Sequence, residues 1–411
     1  MRSKNDNRTH ALQSRSNAVL SEGIWRFLPC VTLALVFLAL TVVATSGVTN
    51  FNMFRQETSP RSGRLYVLDT NEGKAKSQVL AVDPLTGKSV MVFEAYYKPD
   101  MALSQDGKRL FVASGILSED GSTVLRKILR VFDTNTGSVI HTIDNPDQVV
   151  PTLNQYSSRM AISQDGQWLY IFRLIMDKDL YYIAVLDLDR LEFLPERPIL
   201  PYCVVGYLIP QPERLKLDVM CAGTRDISSL TINESGRAAV TSVNLNKGLG
   251  RQGFGSPFLS KDGGMLKLIT TDGQLFEVDK TSRKLNKIAA GVTESTEGWL
   301  KSKERRIHPQ IPKPSPDGAK LFVGAGREDD LKRGKPSIDM IIEFDSASGN
   351  VGRTLATSRP IHSFAVSHDG SKIYAVESRG NSILVIDTAS LREIRTMQGI
   401  GVTPAFVLIA P

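Results

Sequence analysis

Along the last fifty residues of the chain, apolar and polar positions alternate in short runs separated by turn residues. Ile361 to Ser367 alternates with a period of two and meets a turn at His368-Asp369-Gly370. Lys372 to Val376, Ser382 to Ile386 and Glu393 to Met397 follow as three more short runs. Period-two alternation sets one face of a strand against a core, and Asp-Gly supplies the positive φ of a tight hairpin. Four such strands predict one antiparallel sheet, which cannot bury both of its faces alone. It needs neighbours of its own kind.

Two landmarks recur along the chain. The first is an apolar or aromatic pair that follows an Asp-Gly-type turn: Leu65-Tyr66, Leu110-Phe111, Leu169-Tyr170, Leu266, Leu321-Phe322 and Ile373-Tyr374, with a degenerate copy at Leu215. The second is an acidic or amide residue that ends an apolar strand: Asp83, Asp133, Asp187, Asn233, Asp279, Asp345 and Asp387. Both series have seven members, spaced on average by about 50 residues, which is the period of one sheet per repeat. The reading is an all-β fold, a seven-bladed β-propeller over residues 63–411. Its phase starts at a second strand, Gly63-Arg64-Leu65, and ends at a first strand, so residues 404–409 are expected to pair beside Leu65 and close the ring. Closure leaves no long open edge.

Residues 1–26 form a basic tail, with Arg2, Lys4, Arg8, Arg15 and Arg26 against Asp6 and Glu22. No charged residue occurs from Phe27 to Phe54, and residues 27–46 are rich in Leu, Val and Ala. Twenty residues at about 1.5 Å each reach across roughly 30 Å of hydrocarbon. The expectation is an N-terminal transmembrane signal anchor, with the tail in the cytoplasm and the propeller on the periplasmic or extracellular side. A cleaved signal segment ending near Ala44-Thr45-Ser46 and a soluble periplasmic form is the alternative. Residues 47–62 read as a tether. The formal net charge of +7 is mild for 411 residues and points to no nucleic acid.

Of three cysteines, Cys203 and Cys221 fall in one hairpin. If residue 209 faces 215, then Cys203 faces Cys221, within disulfide range in an exported domain. Closing such a loop stabilises by about 3 kcal/mol. Two segments interrupt the repeat, and loops of this kind carry function on a rigid scaffold. Residues 291–310 contain Trp299, Arg305, Arg306 and His308, and residues 327–338 contain Lys332 and Arg333. Trp299, Arg305, Arg306, Lys332 and Arg333 are the candidates for contact with a protein partner. Asp100, Tyr156, Arg159, Gln310 and His362 precede first strands, at the mouth of the central channel where a small-molecule ligand would sit. The alternative for these residues is that they satisfy backbone groups around the channel.

Reactive constellations are few. The five histidines lie at no metal-ligand spacing, and neither a Gly-x-Ser-x-Gly elbow nor a phosphate loop occurs. Asp83-Pro84-Leu85-Thr86-Gly87-Lys88 is similar to part of the repeat of propeller quinoproteins, but Met91 and Val92 stand where a docking tryptophan belongs. Phe364-Ala365-Val366-Ser367-His368-Asp369-Gly370, followed by Ile373-Tyr374-Ala375-Val376 and Val385-Ile386-Asp387-Thr388, resembles the YVTN-type repeat of bacterial surface and periplasmic propellers.

A narrower resemblance, over most of residues 63–411, is to the heavy chain of quinone-dependent amine dehydrogenases such as methylamine dehydrogenase. It rests on Cys203 and Cys221, on Thr293-Glu294 leading to Gly298-Trp299, on the charged loop before Ile341-Ile342-Glu343-Phe344-Asp345, and on the ending Gly401 to Pro411. That resemblance implies a propeller without its own cofactor, with tryptophan tryptophylquinone carried by a small partner chain. The chain departs from it by the apolar run and by Lys301 to Arg306 in place of a Gly- and aromatic-rich segment. The leading expectation is a membrane-anchored binding or scaffold module, not catalytic alone. The heavy subunit of an amine dehydrogenase-like oxidoreductase is the alternative, and a lactone hydrolase on the same fold is a third. N-terminal sequencing of the exported protein checks the anchor: a start at Met1 is expected, and a start near Gly47 would mean cleavage.

Overall fold

The computed structural model describes residues 63–411 apart from 71–75, 145–157, 176–179, 202, 204–205, 222–224, 246–255, 261–263, 280–281, 283, 289–304, 309–311, 328–337 and 379. The basic tail, apolar run and tether of residues 1–62 lie outside the described residues. Within those residues the chain is all β, and no helix is long and apolar enough to cross a membrane.

Strands β1 (Leu65–Asp69), β2 (Ser77–Val82) and β3 (Ser89–Ala95) pair in order. The next meander is β4 (Tyr97–Leu103), β5 (Arg109–Leu117), β6 (Val124–Asp133) and β7 (Val139–Asp144). The third sheet is β8 (Met160–Ile162), β9 (Trp168–Ile175), β10 (Leu180–Asp187) and β11 (Glu192–Phe193), with β12 (Ile199–Pro201) also on β10. The fourth is β13 (Gly206–Pro210), β14 (Lys216–Cys221), β15 (Asp226–Ile232) and β16 (Ala238–Asn244). The fifth is β17 (Ser256–Leu259), β18 (Leu266–Ile269), β19 (Leu275–Asp279) and β20 (Lys284–Lys287).

The remaining strands form one eight-stranded sheet. It comprises β21 (Arg305–Ile307), β22 (Lys313–Pro314), β23 (Lys320–Arg327), β24 (Ile338–Asp345), β25 (Val351–Val366), β26 (Lys372–Glu377), β27 (Ile383–Asp387) and β28 (Arg392–Met397). The final strand, β29 (Pro404–Ile409), returns to β1, with Val67 opposite Val407.

The Ser-x-Asp-Gly turns are built from their own side chains. Ser104 Oγ donates to Asp106 Oδ1 at 2.7 Å and accepts the Arg109 amide at 2.8 Å, while the Gly107 amide closes the turn on Ser104 O. Gly107 sits at φ +68, where a Cβ would be strained. The Ser-to-amide bond recurs at Ser163, Ser260, Ser315 and Ser367. The second landmark is an Asx turn: Asp133 Oδ1 accepts the amides of Asn135 at 2.7 Å and Thr136 at 2.9 Å, and Asp187, Asp345 and Asp387 act alike. The residue after the Asp joins the two turns. The Thr134 amide donates to Lys108 O, and its hydroxyl donates to Gly107 O at 2.6 Å. Thr388 and Ser346 repeat both bonds.

Among the described residues the core divides into seven apolar clusters, six of them shared by two sheets and one lying within the eight-stranded sheet. Tyr66 and Phe93 meet Leu110 and Phe132 in one of them, with the Phe93 and Phe132 rings edge to face at 5.3 Å. Each fully buried side chain of this size contributes about 1.5–3 kcal/mol. At Leu191 and Leu391 the left-handed conformation held by Gly137 in its own Asx turn is taken by leucine instead, at φ 56 and 48. The strain of about 1–2 kcal/mol is offset at Leu391 by burial.

Two expectations change. Cys203 and Cys221 are bonded, with Cα atoms 4.7 Å apart, but the hairpin register places Cys221 opposite Gly206 and Asp218 opposite Ile209. The turn is longer than assumed, because the Gln211 amide closes on Lys216 O and Leu215 takes a positive φ. The final two sheets are also not separate. The long β25 serves β24 with its first half and β26 with its second, and Ile338 pairs with Ile361 across the register shift between them.

The lead-in to β29 is clamped by Asp69, which is fully buried. It accepts the amides of Val402 at 3.0 Å and Thr403 at 2.7 Å and the side chain of Gln78 at 2.9 Å. Gly401 is needed beside it, since a Cβ there would lie 2.6 Å from Asp69 Cγ. Asp69→Ala is expected to lower stability by about 2–4 kcal/mol, as buried amides lose a charged acceptor. Denaturant unfolding beside the exposed-turn control Asp279→Ala measures this, and equal small losses in both would contradict the clamp.

Candidate functional site

The starts of the first strands bring three of the predicted mouth residues into view. Asp100 lies on β4, 3% exposed, and its carboxylate accepts the Met101 amide at 2.8 Å and the Arg159 amide at 2.7 Å. Burial raises the Asp100 pKa, opposed by those amides, by Ser158 and by the Arg159 charge. Arg159, half-buried just before β8, has its guanidinium pKa lowered by desolvation against the pull of Asp100 and lies 5.9 Å from the Phe172 ring centre. The carboxylate therefore ties the start of β4 to the entry of β8. Both of its oxygens are engaged by backbone amides.

His362 is half-buried on β25. Its electrostatic neighbour is His308, which follows β21 and is 1% exposed. Burial first, and then His362, pushes the His308 imidazole down to about 3. Its backbone amide donates to Gly324 O at 2.7 Å. Of the partner-loop candidates, Arg306 is half-buried and pairs by backbone with Gly326, and Arg305 pairs with Arg327. Tyr156, Gln310, Trp299, Lys332, Arg333 and the side chain of Arg305 lie outside the described residues.

A cavity of about 390 Å³ opens among the first strands, next to the mouth residues rather than through them. Met101, Ser158, Leu208, Ser363 and Phe406 stand on its wall, and so does Lys313. Burial pushes the Lys313 ammonium down to about 8. This residue escaped the motif search, yet the repeat marks it. Two places before the Ser-x-Asp-Gly turn the other first strands carry Ala102, Ala161, Phe258 and Ala365, and this one carries Lys313. The structure keeps these positions equivalent, since each faces the second position of the landmark pair on the next strand: Phe111, Tyr170, Phe322 and Tyr374, and Lys267 where the landmark is Leu266 alone.

Residues 61–410 match the methylamine dehydrogenase heavy chain family, across the whole of this β structure. The chain belongs to that family. It is 22% identical over 356 residues to the methylamine dehydrogenase heavy chain of Methylophilus methylotrophus, covering 85% of this chain and 84% of the relative. Among solved structures, the periplasmic gluconolactonase of Pseudomonas aeruginosa superposes with a TM-score of 0.58 at 18% identity, over 85% of this chain and 99% of that one. A functionally unknown protein of Desulfotomaculum acetoxidans gives 0.59 at 11%, over 85% and 99%. A putative 6-phosphogluconolactonase of Bacteroides fragilis gives 0.56 at 14%, over 86% and 99%. At these identities the structures share a fold with this chain.

The buried histidine has a pH consequence. Its folded pKa, near 3, lies below the unfolded value of about 6.5, so the unfolded chain binds the proton first. The His308 contribution is complete above about pH 6.5 and is lost as pH falls toward 3. Between pH 7.5 and 5 it amounts to about 2 kcal/mol. His308→Leu is expected to flatten that limb in denaturant titrations at the two pH values, and an unchanged acid slope would place the loss elsewhere.

Proposed function

We propose that this chain is a docking subunit without a cofactor of its own: a propeller of seven four-stranded blades, exported and anchored through residues 27–46, that positions a smaller protein partner on its loop-bearing face. The observation that carries this is the heavy-chain family match over residues 61–410, which spans every described strand. Seven blades are supported by the seven apolar clusters and by contacts that run from β1 to β4, β4 to β8, β8 to β13, β13 to β17, β22 to β25 and β25 to β29. Export is supported by the Cys203–Cys221 disulfide, which suits an oxidising compartment. A non-catalytic role is supported by Asp100, whose carboxylate is occupied by two amides.

The family and the Methylophilus relative favour a sharper form of the same reading, in which the partner oxidises amines with tryptophan tryptophylquinone. Arg305 and Arg306 on β21, with Trp299, Lys332 and Arg333, are the contact candidates. A lactone hydrolase would need a free acid or base at the mouth, and Asp100 is committed to the backbone there.

Affinity purification of the full chain from native membranes tests the proposal. A small, disulfide-rich partner with quinone absorbance and amine-dependent dye reduction is the expected result. A stoichiometric partner without quinone would keep the docking role and remove amine oxidation. Recovery of the chain alone, with hydrolysis of a lactone panel, would overturn both.

A further inference from the structure

The cavity among the first strands has an uneven chemistry. Most of its wall is apolar, from Met101, Leu208, Phe364 and Phe406, and among the described residues no Asp or Glu side chain stands on it, although the terminal residue Pro411 does. Its polar groups are mostly engaged. Ser104 Oγ donates to Asp106, the Gln105 side chain donates to Ser163 O and Gln164 O, and Ser158 Oγ donates to Met160 O. His368 Nε2 lies 3.2 Å from Ile409 O.

Two groups are different. Lys313 Nζ has no carboxylate beside it among the described residues, and desolvation is the sole cause acting on its pKa. Ser363, 3% exposed, has a hydroxyl with no hydrogen-bond partner among the described residues. Both residues line the cavity, and the strands that carry them, β22 and β25, lie against each other. Lys313 is half-buried, and a partly desolvated cation without a counter-charge carries an electrostatic cost that a bound anion relieves. The volume, about 390 Å³, lies within the roughly 300–1,000 Å³ of small-molecule sites.

The geometry points to a binding site for a small organic monoanion, a carboxylate with an apolar body, whose negative end rests on Lys313 Nζ with Ser363 Oγ as a second donor. The apolar walls take the body of the ligand, and the lack of Asp and Glu side chains on the described wall leaves Lys313 as the charge that selects it. A dianion would bring one charge more than the wall can neutralise. This site is independent of the docking role, because none of the partner-contact candidates lines it.

Calorimetry on the full-length protein with acetate, hexanoate, benzoate and the neutral benzamide tests it. Benzoate and hexanoate are expected to bind saturably at pH 7, acetate more weakly, and benzamide at least tenfold more weakly than benzoate. Binding should weaken about thirty-fold between pH 7 and 9.5, as the ammonium with its pKa near 8 loses its proton. The titratable side chains on the described wall are Lys313 and His368, and His368→Gln should leave that dependence in place. Lys313→Met should abolish benzoate binding, Lys313→Arg should retain it, and Ser363→Ala should weaken it several-fold. Protection of Lys313 by benzoate from trinitrobenzenesulfonate, read by peptide mapping of the wild type, needs no variant and is expected. Equal binding of benzamide, undiminished binding to a folded Lys313→Met, labelling of Lys313 unaffected by benzoate, or no saturable carboxylate would each overturn the site.

Discussion

The structure depends on sheets that are apolar on both faces. The recurrent Leu-aromatic pair shows why, because neighbouring residues of a strand point to opposite sides. Leu65 enters the cluster shared with Tyr374 and Val385, while Tyr66 enters the one shared with Leu110 and Phe132. Leu169 and Tyr170 divide in the same way between two clusters, as do Leu321 and Phe322. Each pair thus joins one interface to the next, and no sheet is stable without a neighbour on either side. The polar turns serve this arrangement. Arg64 donates to Thr134 O, Lys267 to Ser346 O, and Arg353 to Thr388 O, so a cation repeatedly reaches the residue after the Asp of a neighbouring Asx turn.

A succession of two-faced sheets leaves exposed surface at its ends unless the ends meet. Strand β29 makes them meet: Val407 joins the cluster of Leu65 and Val67, and Phe406 and Leu408 pack on the opposite side against that of Tyr66. Arg395 repeats the cationic link across this junction, donating to the carbonyls of Leu85 at 2.5 Å and Pro84 at 3.2 Å. Contacts across some 330 residues of chain carry a large loop-closure entropy, so they must be strong once made. Asp69 concentrates three hydrogen bonds at that point in a fully buried setting.

Much of this was legible because it is local or periodic. The Ser, Asp and Gly of each turn bond to one another within five residues, so their chemistry is written in adjacent letters. The pairing of Cys203 with Cys221 was legible too, although the register used to reach it was not, since a left-handed Leu215 lengthens the turn without any glycine to announce it. The fusion of two sheets through β25 depends on Ile338 meeting Ile361, a contact fixed by packing and not by pattern. His308 and His362 are 54 positions apart, and no spacing rule joins them. Lys313 was readable in principle: aligned on the turns, it is the one charge in a column of Ala102, Ala161, Phe258 and Ala365. A search for known motifs passes over such a residue because a lone lysine resembles no motif. Its meaning comes from the column.

The distribution of satisfied and unsatisfied groups separates structure from function in this chain. At the starts of the first strands, a buried carboxylate that accepts two amides serves to hold the backbone. Each oxygen of Asp100 accepts one amide, from Met101 and from Arg159, and these bonds fix the orientation of the carboxylate. Asp100 thus fastens the start of β4 to the entry of β8. Lys313 is the inverse case. It stands half-buried on an apolar wall, without a counter-charge there, where packing alone would favour the apolar residues of its counterparts. A side chain that the fold does not require, held in a state that the fold must offset, is best understood through what it can bind.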